Sequence, residues 1–410
     1  MTITLTLASD WDKKVLHFLH KVITDSEHPF VMLTVQPGDK VLSLISSIGA
    51  KSNIQLHYVW QLLGPPMLQA LHYKVKASGL SNILKKLQYG LPVQMTIEDG
   101  KIDIKSLQPK KQPDLFDHYL ADDSSSKYWL EILSDEYSRE FEMYQVDKTL
   151  SVRLAAAVFG EHLERVGKYI KHSPLNIGDV PNLHLNFTQE QVSIQGQVSG
   201  DAVSIIQPCR IDAYLLSERF FSPTIALSYE QAMKLEPLLQ LCPGSITVSL
   251  LENAMLIERP DWALLLNLAR PTIDGQALEK RLDASFSEVG CALQAPILLN
   301  TLEDIAIADR VEKELVHVVA FSHSHPNFHN EFRLGMNQDG VGALFPIKMA
   351  HPLTADLKIC CNLVNLKRVL ESLPSQSRWI YLPAQQALLF YDDIKAMRFV
   401  MACRQSCLSY

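Results

Sequence analysis

Three stretches of the chain repeat one order of hydrophobic and polar positions. In residues 73–107, the apolar residues between positions 80 and 87 recur at spacings of three and four, and the apolar residues that follow alternate with polar ones. The first period predicts a helix that packs along one face, and the second predicts strands. Residues 224–260 and 357–393 show the same order. Each stretch is therefore predicted to form a strand, a helix and a two-stranded hairpin.

Turn residues lie between the two predicted strands of each hairpin. Asp99-Gly100 is a dipeptide that tight hairpins favour, because both residues tolerate a positive φ angle. Glu-Asn at residues 252–253 and Gln-Gln at residues 385–386 stand in the matching places. The three turns therefore mark equivalent points of the repeat.

A second helix-and-strand unit precedes each of these stretches. Its helices are predicted at residues 11–23, 152–170 and 276–289. The strands after them are predicted at residues 30–35 and 40–46, at residues 183–187 and 192–198, and less clearly at residues 315–322. Self-similarity of this kind indicates one structural unit that is used repeatedly. The expected fold class is α+β, with three modules that each contain the helix-and-sheet unit twice.

The module boundaries follow from the spacing of the repeats. The first module is expected to cover residues 1–148, the second residues 149–272 and the third residues 273–410. The first is the longest because residues 108–148 open with a charged, proline-bearing stretch, which predicts a linker and an insertion.

Composition restricts the class of protein. With 47% hydrophobic and 20% charged residues, the chain is typical of a folded, soluble protein. No apolar run approaches the ~20 residues of a membrane span, and the N-terminus lacks a signal-peptide pattern, so a cytoplasmic location is expected. The seven cysteines include no CxxC pair, which argues against a zinc ribbon. The net charge of −7 argues against a surface that grips nucleic acid everywhere, but it is compatible with a local basic lining.

The helix-and-sheet unit, duplicated in each of three modules, resembles the sliding clamp, the β subunit of bacterial replicative DNA polymerase. The likeness is closest near the C-terminus, where Cys361-Asn362 opens a helix and a hairpin follows. Phe-Val-Met-Ala-Cys-Arg at residues 399–404 is similar to the family's last strand, which typically ends Met-Pro-Met-Arg-Leu. The resemblance implies the DNA-clamp fold, in which the modules of two chains join head to tail into a ring.

Two segments depart from the family's pattern. Where the second module of clamps usually has Thr-Asp-Gly-His-Arg-Leu, residues 198–203 read Val-Ser-Gly-Asp-Ala-Val. Ala402 replaces the family's proline, and residues 405–410 extend beyond its usual end. In clamps these segments form the pocket for linear peptides of polymerases and of the clamp loader. The pocket residues that the resemblance implies are Val203, Phe399, Val400 and Met401; ordinary packing in the core is the alternative for them.

The resemblance also implies that basic residues on the inward helices attract double-stranded DNA without regard to its sequence. Candidates occur on every predicted helix, and the alternative for each one alone is a solvated surface residue. They are Lys13, Lys14, Lys21, Lys85, Lys86, Arg153, Arg165, Lys168, Lys171, Lys234, Lys280, Arg281, Lys367 and Arg368. The function expected is that of a processivity factor, with no catalytic residue, metal or cofactor.

Two other functions compete with this one. A clamp-fold interaction protein that does not encircle DNA would agree with the net charge and the changed pocket. A metal-dependent hydrolase is the second, because His323 and His325, with His329 nearby, are similar to the histidines that begin the JAMM metalloprotease motif. That motif continues with a serine and a metal-binding aspartate, and Arg333 and Met336 stand in their places. The hydrolase is therefore disfavoured.

Overall fold

The architecture is given by a computed structural model. It describes residues 2–6, 15, 18, 30–46, 54–87, 92–106, 127–138, 141, 147–171, 182–198, 203–217, 223–271, 291–293, 295–309, 315–320, 331–338, 341–348, 357–374, 377–382, 386–392 and 397–405.

The N-terminal part of the chain contains two helix-and-strand units in succession. Its elements are β1 (Thr2–Thr6), β2 (Phe30–Val35), β3 (Val41–Ser46), β4 (Ile54–Gln61), β5 (Leu71–Lys76), α1 (Ala77–Lys86), β6 (Pro92–Glu98), β7 (Lys101–Ser106) and β8 (Tyr128–Glu131). Of the helix predicted at residues 11–23, the structure describes Val15 and Phe18, which are both helical and buried. The order is therefore strand, helix and three strands, used twice.

The middle of the chain has the same order. Its elements are β9 (Leu150–Ala155), α2 (Ala156–Lys171), β10 (Asn182–Phe187), β11 (Gln191–Val198), β12 (Val203–Ser217), β13 (Thr224–Ser228), α3 (Tyr229–Leu241), β14 (Ser245–Leu250), β15 (Ala254–Glu258) and β16 (Trp262–Asn267). The helix predicted at residues 152–170 begins four residues late, because residues 150–155 form β9 instead.

The C-terminal part shows the order for the third time. Its elements are β17 (Cys291–Leu293), α4 (Ala295–Asp309), β18 (Leu315–Ala320), β19 (Glu331–Gln338), β20 (Val341–Lys348), β21 (Leu357–Asn362), α5 (Leu363–Ser372), β22 (Ser377–Leu382), β23 (Ala387–Asp392), β24 (Arg398–Ala402) and β25 (Arg404–Gln405). The helix predicted at residues 276–289 lies outside the described residues, and α4, which the sequence analysis missed, occupies its place in the order. None of the described helices is long and apolar enough to cross a membrane.

The strands form groups of four in two recurring arrangements, with antiparallel neighbours. One arrangement is β1-β6-β7-β8, β9-β14-β15-β16 and β17-β22-β23-β24, and the other is β4-β3-β2-β5, β12-β11-β10-β13 and β20-β19-β18-β21. In the first, the strand before one helix pairs with the hairpin that follows the next helix; Thr2, for example, is opposite Thr96. The two halves of each repeat are thus joined by shared sheets, and the duplicated α+β architecture is confirmed.

Two compact units divide the chain differently from the sequence repeat. One comprises residues 1–161, 210–221 and 230–268, and the other comprises residues 162–209, 222–229 and 269–410. In the first unit β16 pairs with β4, from Trp262 opposite Tyr58 to Leu266 opposite Ile54. In the second unit β24 pairs with the start of β12. The three module boundaries remain a prediction.

The hairpin turns differ from one another. Asp99 and Gly100 have φ angles of 49° and 74°, and Glu98 is directly opposite Lys101, so the predicted two-residue turn is confirmed. The other two hairpins are longer. Three residues, 251–253, connect β14 to β15, where the Leu251 N–H donates to the Ala254 carbonyl at 2.9 Å. Four residues, 383–386, connect β22 to β23. Of these three hairpins, the one with Asp-Gly has the shortest connection.

Helices α2 and α3 approach each other closely at Gly160. A Cβ atom at Gly160 would lie 2.8 Å from the backbone nitrogen of Gln240 and 2.9 Å from the Leu239 Cβ. A backbone atom cannot move aside as a flexible side chain can. The absence of a side chain at Gly160 therefore permits this helix contact.

Replacing Gly160 with alanine should lower the free energy of unfolding by about 1–3 kcal/mol, because the added methyl group overpacks the contact. Helix propensity alone predicts the opposite, a gain of about 1 kcal/mol. Gly79→Ala on α1 is the matched control, because the one close contact of its Cβ would be with the end of the flexible Leu130 side chain, at 2.8 Å. Denaturant unfolding measures both variants, and equal stability of the two would contradict the close approach.

Candidate functional site

Helix α1 carries its two lysines in its last turn. Lys86 is exposed, with its Nζ 5.8 Å from the centroid of the Tyr128 ring, and Lys85 is half-buried. No acidic residue occurs in α1. Cations in the last helical turn are also favoured by the helix dipole, so both ammonium groups are stabilised at this end.

Helix α2 exposes a basic stripe. Arg165, Lys168 and Lys171 are all exposed and follow one another at intervals of three residues, which places them on one side of the helix. Lys168 forms an ion pair with Glu164 one turn earlier, yet its side chain retains 70% of its exposure. A pair this exposed is weak, and the lysine remains available to solvent anions.

Lys234 on α3 is in a different environment. Its side chain is only 14% exposed, and its Nζ lies 3.3 Å from Glu230 Oε1. Burial lowers the pKa of Lys234, because removal from water penalises the charged form. This lysine is largely withdrawn from the surface.

Lys367 on α5 lies between carboxylates. Its Nζ is 3.3 Å from Glu303 Oε1 on α4 and 4.0 Å from Glu371 Oε1 on α5. The next residue, Arg368, is half-buried. Burial raises the pKa of the Tyr169 hydroxyl, and the positive charge of Arg368 partly opposes that rise. The Arg368 guanidinium therefore interacts with a buried side chain.

The remaining predicted basic residues fall into two groups. Arg153 does not lie on a helix, as its assignment to residues 152–170 implied: it is an exposed residue of β9, opposite Thr247 of β14 and Ala213 of β12. Its buried neighbours Val152 and Leu154 show why this segment pairs as a strand. The others lie outside the described residues; they are Lys13, Lys14, Lys21, Lys280 and Arg281.

The predicted pocket residues meet where β12 pairs with β24. Val203 is directly opposite Met401, and Ile205 is opposite Phe399. Phe399 and Met401 are buried, with exposures of 0% and 1%, whereas Val400 is half-buried. Because side chains alternate along a strand, Val400 points to the other face from its two neighbours.

The two faces of β24 pack against different residues. The Phe399 ring lies 5.2 Å from the ring of Tyr169 at the end of α2, centroid to centroid. Val400 instead packs against the cluster of Ile206, Leu389 and other buried residues of the sheet. Sequence reasoning missed Tyr169, whose only signal was an aromatic residue on the apolar side of a predicted helix. In the described state, Val400 is the most accessible of the predicted residues on β24.

The helix that follows β21 begins as the sequence predicts. The Asn362 side chain accepts a hydrogen bond from the Asn365 backbone N–H at 2.9 Å, which caps the first turn of α5. Beyond β24, β25 pairs with β21, with Arg404 opposite Cys360. The histidines at positions 323, 325 and 329 lie outside the described residues.

Comparison with known proteins gives a fold. No family model matches the chain, and no curated protein matches it by sequence. Among solved structures, the DNA polymerase III subunit β of Pseudomonas aeruginosa aligns with 99% of this chain and 100% of its own at a TM-score of 0.67 and 15% identity. The Bacillus subtilis sliding clamp aligns over 99% of both chains, with a TM-score of 0.66 and 11% identity. The chain has the sliding-clamp fold.

The clamp fold extends over the whole chain, whereas the sequence identity is low. The Caulobacter crescentus clamp, with 11% identity and a TM-score of 0.64, also aligns along its entire length. The shared feature is thus the order and pairing of elements. The resemblance seen in the sequence is confirmed at the level of fold.

Phe399→Ala should cost about 3–5 kcal/mol of unfolding free energy, because it removes a fully buried ring and leaves a cavity beside Tyr169. Val400→Ala, one residue along the same strand, should cost less than about 1.5 kcal/mol, because that side chain is half-buried. Urea unfolding of the two variants measures the difference. Equal losses would mean that the two faces of β24 are not packed as described.

Proposed function

We propose that the chain is a DNA sliding clamp: a ring that encircles duplex DNA, tethers a polymerase to it and performs no chemistry itself. The alignment of the clamp fold with the entire chain supports this proposal most strongly. The exposed lysines and arginine of α1 and α2 support it further, because they offer phosphates a sequence-independent attraction. The proposed place of action is the cytoplasm, and no cofactor is involved.

The sheet edges support ring formation. Within the compact units, β16 pairs with β4 and β24 pairs with β12. The strands in the equivalent positions of the remaining sheets are β8 and β20, and each ends its sheet without a further partner strand among the described residues. Unpaired edges attract other strands. We therefore propose that β8 of one copy pairs with β20 of another, which would close a head-to-tail dimer.

The backbone of β8 is suited to such pairing. The Ile132 N–H donates to the Gly100 carbonyl at 2.8 Å, so Leu130 and Ile132 direct their backbone groups toward β7. Trp129 and Glu131, at alternate positions, direct theirs outward. Trp129 is also 62% exposed, which is unusual for a tryptophan on a free surface. A second strand would cover both features.

Glu131→Pro tests the edge directly, because proline removes the outward N–H and leaves the bonds between β7 and β8 intact. We expect the dimer dissociation constant to rise at least tenfold, as about 1.4 kcal/mol or more of interface energy is lost. Glu131→Ala removes the same side chain but keeps the N–H, and it should leave the dimer unchanged. Sedimentation equilibrium gives both constants; a wild-type protein that is monomeric throughout would refute ring closure.

Encirclement is tested with DNA topology. Protein loaded onto a nicked circular plasmid should stay bound through gel filtration, and cutting the plasmid once should release it, because a ring slides off an end. Release from the circle and the linear form alike would refute encirclement.

The proposed partners other than DNA are the polymerase and the clamp loader, bound through linear peptides near β12 and β24. Val400 is the proposed contact that is accessible before binding. Val203 is paired with Met401 across the two strands. Phe399 and Met401 are buried and hold β24 against the protein interior.

A clamp-fold interaction protein that does not encircle DNA is the second candidate. The observation in its favour is charge: the chain has a net charge of −7, and α4 contains Glu303, Asp304 and Asp309 but no basic residue. The plasmid experiment separates the two, because only encirclement depends on whether the DNA is circular.

A further inference from the structure

The five labelled helices carry unequal charge. Helix α1 has two basic and no acidic residues, α2 has three basic and two acidic, and α5 has two basic and one acidic. Helix α3 has one basic residue against Glu230 and Glu236, and α4 has three acidic residues and no basic one. Two of the five helices are therefore net negative, and α4, which the sequence analysis did not predict, has no basic residue.

The side-chain environments increase this inequality. Lys234, the basic residue of α3, is mostly buried against Glu230. Lys367 of α5 is held between Glu303 and Glu371. Within the described part of the chain, Lys85, Lys86 and Lys171 have no comparable carboxylate neighbour. Lys367 differs from Lys168, because it is 43% rather than 70% exposed and has two carboxylates nearby instead of one. A lysine must give up its ion pairs to bind a phosphate, so Lys85, Lys86 and Lys171 are the better source of attraction.

Resting on the proposed function, we infer that α1 and α2 supply the DNA phosphate contacts of the described helices, and that Lys234 and Lys367 supply none. The attraction is then unequal among these helices: α1 and α2 attract the duplex, whereas α3 and α4, which carry net negative charge, do not. A lining of this kind releases few counterions, so DNA binding depends on salt less steeply than six uniformly basic helices would make it.

The salt dependence of binding tests this inference. A short fluorescent linear duplex is titrated with the intact protein at several sodium chloride concentrations, and anisotropy gives the slope of log K against log salt. Each phosphate contact contributes about 0.9 to that slope. The double variant Lys85→Gln/Lys86→Gln should therefore reduce the slope by up to about 1.8, and Lys171→Gln by about 0.9.

Lys234→Gln and Lys367→Gln are the matched controls, since each removes one positive charge from another helix. Both should leave the slope unchanged within about 0.3, a third of one phosphate contact. Thermal melts confirm that all variants fold. A loss of slope in the controls equal to that in the α1 and α2 variants would overturn the inference while preserving DNA binding. Absence of wild-type binding to the linear duplex at every salt concentration would also overturn the inference, whereas the proposed function is tested separately by the plasmid experiment.

Glu303→Gln provides a test in the opposite direction. Removing the nearer carboxylate frees Lys367, and the slope should increase by up to about 0.9. The double variant Glu303→Gln/Lys367→Gln should return it to the wild-type value. An unchanged slope in Glu303→Gln would show that the ion pair does not prevent Lys367 from contacting phosphates, and the inference would fail for α5.

Discussion

Backbone hydrogen bonding at sheet edges is the constraint on which the rest of this structure depends. A half-repeat made of one helix and three strands leaves two edges open, and open edges are costly unless they are paired or covered. In each repeat, the strand before the first helix pairs with the hairpin that follows the second helix, as β1 does with β6. The chain then joins β16 to β4 and β24 to β12. The position of β24 beside β12 and the two remaining edges, β8 and β20, follow from this pairing.

Local pattern was enough to predict the elements of the repeat. The helical spacing within residues 80–87 and the Asp99-Gly100 turn are properties of short segments, and the structure has both. Helix α4 was missed because apolar residues occur on all of its sides, which hides the period of 3.6. Arg153 was misplaced because Ala155 and the apolar residues before it fit either a strand or a helix over so short a run.

The candidate site was less predictable than the fold, for two physical reasons. The burial of Phe399 and Met401 depends on which face of β24 meets α2, and that information is not local to residues 399–401. The state of each lysine depends on its neighbours in space. Nothing near Lys367 in the sequence indicates the contact that it makes with another helix, where Glu303 Oε1 lies 3.3 Å from its Nζ. The sequence therefore identifies the basic residues but not their carboxylate neighbours.

The pairing of β1 with β6 has a consequence for biosynthesis. Thr2 leaves the ribosome well before its partner Thr96, which emerges only after β2, β3, β4, β5 and α1 have been made. Until then the N-terminal strand has no partner in its native sheet, and its apolar residues Ile3 and Leu5 are uncovered. Native contacts this distant in sequence slow folding and lengthen exposure to aggregation. The nascent chain is thus most prone to aggregation between the synthesis of β1 and that of β6, the interval in which chaperone binding would protect it most.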